Sequence, residues 1–307
     1  MTTGDQIRYL QHKEIEKAKW DACIEQALNG LIYSYSYYLD AMSKHWDALV
    51  LKDYEAVMPL TWNKKYGFYY LYQPAFIASM GVFGKNLNKE LIDDFIKSIP
   101  SKFKLIEISL NPGNITGDPK VFSLLRSNYI LHMNKPYEEL YKTYRDTHKR
   151  NINKAFQLGC SVSQEIPLDE IIQLNKEQLQ HIDGTKLEDY PNFKTLYAFL
   201  KKRGQAKTYA IVNPKNDALA SAVFFFSHNR AYYIMVGNHP DGKTIGASHA
   251  LIDAFIKDHA GQDLILDFEG SDIRNLAFFY SSFGAKEEIY PALKINKLPF
   301  YIKWLKK

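Results

Sequence analysis

Two acids near the end of the chain, Asp267 and Glu269, stand one residue apart in Leu264-Ile265-Leu266-Asp267-Phe268-Glu269-Gly270. An apolar run ending this way reads as a strand, and strand alternation puts both carboxylates on one face, roughly 7 Å apart. Neighbouring acids raise one another's pKa, and one of them can then serve as general base towards an amine. A plainer assignment has Asp267 bonding a neighbouring loop while Glu269 is simply exposed. Upstream, the strand-like Tyr232-Tyr233-Ile234-Met235-Val236 runs through Gly237, Asn238 and Gly242 into a helix opening at Lys243-Thr244-Ile245-Gly246-Ala247-Ser248. Small residues at a helix start let backbone N–H groups approach an anion such as a CoA pyrophosphate, and the helix dipole favours negative charge there. The same residues equally suit a helix packed tightly on a sheet. A third set is basic. Arg145, Lys149, Ile152 and Phe156 share one stripe at helical spacing, and Lys142 and Arg150 widen its positive end. Such a stripe can contact phosphate, on a nucleotide-linked acceptor or on tRNA, or it can be a solvated helix end anchored by Ile152 and Phe156.

These groups need a scaffold, and the chain reads as alternating helices and strands. Strands are expected at 48–52, 56–62, 67–72, 104–110 and 129–133, with helices at 14–28, 36–42, 88–99 and 121–125. A long helix at 137–158 follows, then a strand at 161–164 and helices at 169–179 and 192–202. Strands return at 208–212, 218–226, 231–236, 264–268 and 286–296, with helices at 246–259 and 273–282. Leu91-Ile92-Asp93-Asp94-Phe95-Ile96-Lys97 recurs 160 residues later as Leu251-Ile252-Asp253-Ala254-Phe255-Ile256-Lys257, identical at six of seven positions. In both copies three strands precede the helix, and a strand, a short helix and a strand follow. An internal duplication accounts for this order. The resulting expectation is an α/β (α+β) fold of two tandem halves, residues 1–140 and 141–307, each a twisted mixed sheet flanked by helices. Ser109 and Asn111 then stand opposite Asp267 and Glu269, which assigns the chemistry to the second half.

Composition bounds the rest. The 307 residues are 46% hydrophobic and 24% charged, as in an ordinary globular protein. The longest apolar run, Ala218 to Phe226, is too short to cross a bilayer, so no membrane insertion is expected. Two cysteines without metal-ligand spacing and a first segment without a secretory apolar stretch fit a reducing cytoplasm. The nine histidines are scattered singly, and no metal is expected. A net charge of +5 is compatible with an anionic partner without requiring one.

The second half resembles the GNAT acyltransferase core: strand, glycine turn, Lys243-x-x-Gly246-Ala247-Ser248, acid-bearing strand, then Asn275-x-Ala277-x-x-Tyr280-x-x-Phe283-Gly284-Ala285. Lys243 and Ser248 depart from the usual residues of the family's phosphate turn, and the Asn275–Tyr280 spacing is two residues short. The resemblance implies acetyl-CoA or another acyl-CoA as co-substrate, bound by Val236, Gly237, Asn238, Gly242, Lys243, Gly246, Ala247 and Ser248. It also implies a donor carbonyl held by the backbone after Val236. Glu269, with Asp267 beside it, would be the base, and Tyr280 would protonate the departing thiolate. A wider resemblance covers most of the chain. Arg145 to Ala155 followed by Gly159, Leu71-Tyr72-Gln73-Pro74 with Gly81, and the Asp267 to Gly270 strand end are similar to the FemAB-type peptidyltransferases. That family implies aminoacyl-tRNA as an alternative donor, a cell-wall precursor as acceptor, and Gln73, Arg145, Lys149 and Arg150 as substrate contacts. A non-catalytic binding module on the same fold is the reading from another class.

Overall fold

A computed structural model describes residues 6–115, 124–179, 187–270 and 272–300. In chain order the elements are β1 (Ile7–Leu10), α1 (Lys17–Gln26), α2 (Ser36–Met42), β2 (Trp46–Leu51), β3 (Ala56–Lys65), β4 (Phe68–Tyr72), β5 (Phe83–Gly84), α3 (Lys89–Lys97) and β6 (Phe103–Ser109). There follow β7 (Leu124–His132), α4 (Tyr137–Lys142), α5 (Asp146–Gln157), β8 (Ser161–Ser163), α6 (Leu168–Leu179), α7 (Asp189–Lys202), β9 (Ala206–Val212), β10 (Ala218–Ser227) and β11 (Arg230–Asn238). The chain ends with α8 (Pro240–Ile245), α9 (Ala247–His259), β12 (Ile265–Asp267), α10 (Arg274–Ser281) and β13 (Lys286–Asn296).

Two compact units result, residues 1–126 with 289–307, and residues 127–288. The boundary therefore lies at 126/127 rather than 140/141, and the chain re-enters the first unit at 288/289. In the first unit the sheet order is β1-β2-β3-β4-β6-β13, antiparallel except for the parallel β4–β6 pair. In the second it is β8-β9-β10-β11-β12-β7, antiparallel except for the parallel β11–β12 pair. Each unit reads strand, two helices, three antiparallel strands, helix, parallel strand. The repeated heptapeptides sit in α3 and α9, the crossover helices at the same topological position in each unit. The duplication is visible in the fold. The last strand of each sheet, however, comes from the other end of the chain: β13 completes the first unit and β7 the second.

The core of the second unit lies between the sheet and α5, α9 and α10, where Phe224, Phe255, Tyr209 and Tyr233 are buried. Phe224 and Phe255 stack at 3.9 Å between centroids. Each such side chain contributes about 1.5–3 kcal/mol by leaving water, which fixes α9 against β9 and β10.

Three elements differ from the sequence reading. The expected helix over 137–158 is two helices, because Arg145 is extended (ψ 146°) as N-cap of α5 and buried Tyr144 fills the break. The helix expected to open at Gly246 starts instead at Pro240, and Gly246 in the left-handed region (φ 85°) kinks α8 into α9. The helix expected at 121–125 falls mostly outside the described residues, and Leu124 already belongs to β7. Among the described residues, no helix is long and apolar enough to cross a membrane.

Candidate functional site

In the second unit β11 and β12 pair only over Arg230↔Ile265, Ala231↔Leu266 and Tyr232↔Asp267. Strand β12 then ends, whereas β11 continues to Asn238 with β10 on its other side. The β10–β11 register skips Ile234, so a bulge bends β11 where the two strands part. A wedge opens at the carboxyl ends of parallel strands, the place where open α/β sheets accept ligands. The first unit lacks this opening. Past the Tyr72↔Glu107 pair, Met80 lies beside β6, donating to Ser109 O (2.8 Å) and accepting from Asn111 N (2.6 Å). Main chain fills that gap.

Asp267 and Glu269 both line the end of β12, but not as alternating strand residues. The strand stops at Asp267, and Glu269 takes φ 67°, followed by Gly270 at φ 87°. The expected shared face is therefore lost at the turn. Asp267 is buried and its oxygens are engaged. Oδ2 meets Arg230 Nη1 at 2.5 Å, and Oδ1 accepts from Asn128 Nδ2 and Glu269 N, both at 2.9 Å. Gly270 N donates to Asn128 Oδ1 at 2.6 Å, and Glu288 also reaches Arg230 at 3.3 Å. Asp267 thus anchors the loop, as the plainer assignment had it. Glu269 is half-buried, on a backbone conformation that costs a non-glycine residue of order 1 kcal/mol or more and that clusters at functional sites. Sequence reasoning missed Arg230 and Asn128, since neither belongs to a motif and both come from distant strands.

Tyr280, on α10, is buried with its ring stacked on Phe268 at 4.5 Å. Burial, then the nearby Glu269 charge, pushes its phenol well above the ordinary value of 10. The hydroxyl keeps its proton at neutral pH, and Glu269 is its charged neighbour.

The residues expected to bind a CoA donor make close packing and hydrogen-bond contacts within the unit. Val236 O accepts from Asn175 Nδ2 (2.7 Å), while Asn238 donates to Gln178 Oε1 through its backbone (3.0 Å) and its side chain (3.1 Å). The backbone after Val236 is committed as well: alternation turns Gly237 towards β10, leaving the Val236 N–H to face the wedge. A Cβ on Gly237 would meet Leu174 Cβ at 2.7 Å, one on Gly242 would strike Leu219 O, and one on Gly246 would strike Asn151 O. Ala247 is fully buried, Ser248 Oγ donates to Asn238 Oδ1 (2.8 Å), and Lys243 is exposed. Close helix packing therefore explains why these positions carry small residues.

Of the expected substrate contacts, Gln73 in the first unit bridges its own loop, donating to Ile77 O (2.7 Å) and accepting from Ser109 N (2.9 Å). In the second unit Arg145 lies over the Phe278 ring at 4.5 Å, Lys149 over Tyr141 at 5.5 Å, and Arg150 is exposed. The buried stripe of α5 is His148, Ile152 and Ala155, and Phe156 points to solvent (41% exposed). The expected anchor at Phe156 is absent because the α5 face turned to α9 runs through His148 instead.

His148 meets His249 edge-on at 4.4 Å. His148 Nε2 donates to Phe279 O (3.1 Å), Asn151 Nδ2 reaches His249 Nε2 (3.1 Å), and both Nδ1 atoms are buried without a partner among the described residues. Burial, then His148, lowers His249 to about 4. Among the described residues no group of three or more His, Cys, Asp or Glu is placed to hold a metal ion.

No family model and no curated protein matches the chain. Solved structures do. FemX aligns with a TM-score of 0.63 at 14% identity, over 92% of this chain and 96% of that one. A conserved protein of unknown function from Bacteroides thetaiotaomicron aligns with a TM-score of 0.56 at 13% identity, over 91% and 98%. The C-terminal domain of a putative lysylphosphatidylglycerol synthetase from Agrobacterium fabrum aligns with a TM-score of 0.51 at 10% identity, over 94% and 93%. At such identities the likeness is one of architecture. The chain has the fold of FemX, with two α/β units in tandem.

Proposed function

We propose that the protein is an N-acyltransferase that joins an activated acyl group to an amine in the wedge of the second unit. The observation that carries this reading is Glu269, held in a left-handed turn at the end of β12 beside buried, protonated Tyr280. The amine nitrogen bonds to the donor carbonyl carbon, whose oxygen is held by the Val236 N–H. Glu269 takes the proton the amine sheds. As the bond to the leaving sulfur or oxygen breaks, Tyr280 supplies the proton that neutralises it, and solvent returns the proton from Glu269 to Tyr280. A general base in such a step contributes about 10²- to 10⁴-fold.

Acyl-CoA and aminoacyl-tRNA are the two donors to weigh. Arg145 laid on Phe278, with Lys149 and exposed Lys142 and Arg150 close to Arg145 in sequence and exposed Arg274 close to Phe278, favours the nucleic-acid donor. Single-stranded ends are bound by such basic and aromatic surfaces. The test is incubation of the full chain with acetyl-CoA or with aminoacyl-tRNA and a panel of amines, including amino-sugar peptides, followed by mass spectrometry. A new amide whose formation needs Glu269 supports the reading. Binding of donor or acceptor without any amide product makes the protein a binding module instead.

A further inference from the structure

Beyond Tyr232, β11 has a partner strand on only one side. His239 N donates to Leu219 O, and Ser221↔Gly237 and Val223↔Met235 share that register, so residues 235, 237 and 239 serve the β10 ladder. Residues 236 and 238 then turn their backbone groups to the edge that β12 has left. An open edge of this kind is a template for any extended chain that carries amides. A peptide-like residue lying parallel to β11 opposite Gly237 would donate its N–H to Val236 O and accept from Asn238 N. Both positions are taken by side chains of one helix. The Asn175 amide donates to Val236 O at 2.7 Å, and the Gln178 amide oxygen accepts from Asn238 N at 3.0 Å.

We infer that Asn175 and Gln178 stand in for an amide-bearing donor arm on the free edge of β11 and so restrict the enzyme to acyl donors that lack one. The inference rests on the wedge being the transfer site. Both side chains are fixed from behind. Asn175 is 6% exposed and its Oδ1 accepts from the hydroxyl of buried Tyr190 at 2.8 Å. Gln178 also accepts from Asn238 Nδ2, and Asn238 Oδ1 accepts from Ser248 Oγ, which ties α6 to the first turn of α9. Backbone contact closes what remains, because Gly237 sits against Leu174 and Ile171 O with no room for a Cβ. A pantetheine arm, with its two amides, would have to displace α6. An acyl group esterified to a ribose would not, since its carrier presents no amide to the strand.

The test titrates pantetheine and CoA into the full-length protein and two variants by calorimetry, with thermal melts to establish folding. The wild type should show no saturable binding at millimolar ligand. Gln178→Ala, at an exposed position, should gain measurable affinity, tighter than wild type by at least tenfold, and Asn175→Ser with Gln178→Ala should gain more. Micromolar binding to the wild type overturns the inference, as does a folded Gln178→Ala protein and double variant that gain nothing. Amide formation from an ester donor is followed in the same proteins and reports separately on the acyltransferase reading. Its absence from the wild type would count against that reading alone, whereas the pantetheine titration judges the two amides.

Discussion

The Asp267 carboxylate accepts the backbone N–H of Glu269 at 2.9 Å, two residues along the same chain. This short bond closes the turn that lifts Glu269 out of the strand, and it shares Oδ1 with Asn128 Nδ2. One acid therefore positions the other. Two carboxylates that look equivalent in sequence carry unequal roles: Asp267 is buried and ion-paired, while Glu269 is half-exposed at the wedge.

Glu269→Gln should cut turnover about 10²- to 10⁴-fold while leaving the melting temperature nearly unchanged, because it keeps the side chain's shape and removes only the base. Asp267→Asn should do the reverse in stability. It weakens a buried pair with Arg230, and breaking such a pair costs about 3–5 kcal/mol. The measurement is turnover and urea unfolding of both variants. Turnover of Glu269→Gln within about threefold of the parent, under roughly 0.7 kcal/mol of barrier, would remove Glu269 as base.

Tyr280→Phe should lower turnover most with donors whose leaving group is strongly basic and least with an activated aryl thioester, which departs without a proton. Because burial and Glu269 hold the phenol above its ordinary pKa, wild-type activity should show no alkaline fall from this group up to pH 10. A leaving-group series on both proteins measures this. Equal losses across the series would return Tyr280 to a packing role against Phe268.

The duplicated α/β plan was legible because hydrophobic periodicity and the repeat at 91–97 and 251–257 are local signals. Helix α3 even shows its N-cap, with Asn88 Oδ1 accepting from Leu91 N at 2.8 Å. The partners that decide the site were not legible. Arg230, Asn128, Asn175 and Gln178 reach the wedge from β11, β7 and α6, brought there by strand order rather than spacing. A small residue records that something approaches closely, and at Gly246 that something is the Asn151 backbone. Strand exchange was equally hidden, since nothing in β7 or β13 says which sheet it will join.

Acid should loosen the packing of α5, α9 and α10 through the buried histidines. Burial, then His148, holds His249 at about 4 against an ordinary 6.5, so the unfolded chain takes up the proton first. His148 is lowered too, by burial and then Arg145, although its bond to Phe279 O works the other way. The stability is complete above pH 6.5 and drains away as pH falls towards 4. For His249 it amounts to at most about 3.5 kcal/mol, since each tenfold loss of proton affinity on folding is worth roughly 1.4 kcal/mol. Urea unfolding between pH 4 and 7 should show this slope in the wild type and a shallower one in His249→Phe. Identical slopes would mean that His249 does not set the acid limit.

The borrowed last strands make the obvious dissection fail. A fragment of residues 141–307 lacks β7, so β12 loses the partners Ile130, Leu131 and His132. It also lacks the buried core side chains Leu131, Met133 and Leu140. At about 1.5–3 kcal/mol each, their loss removes roughly 5–9 kcal/mol, comparable to the whole stability of an ordinary domain. Asn128 goes with the strand, so the Glu269 turn keeps the Asp267 Oδ1 bond from Glu269 N but loses those of Asn128 to Asp267 Oδ1 and Gly270 N. Residues 127–288, cut at the unit boundary instead, keep residues 127–132 of β7, including all three partners of β12, and the whole core cluster. Circular dichroism melts should therefore be cooperative for 127–288 and featureless for 141–307. A cooperative melt of 141–307 at the temperature of the 127–288 fragment would show that β7 is dispensable to the second unit.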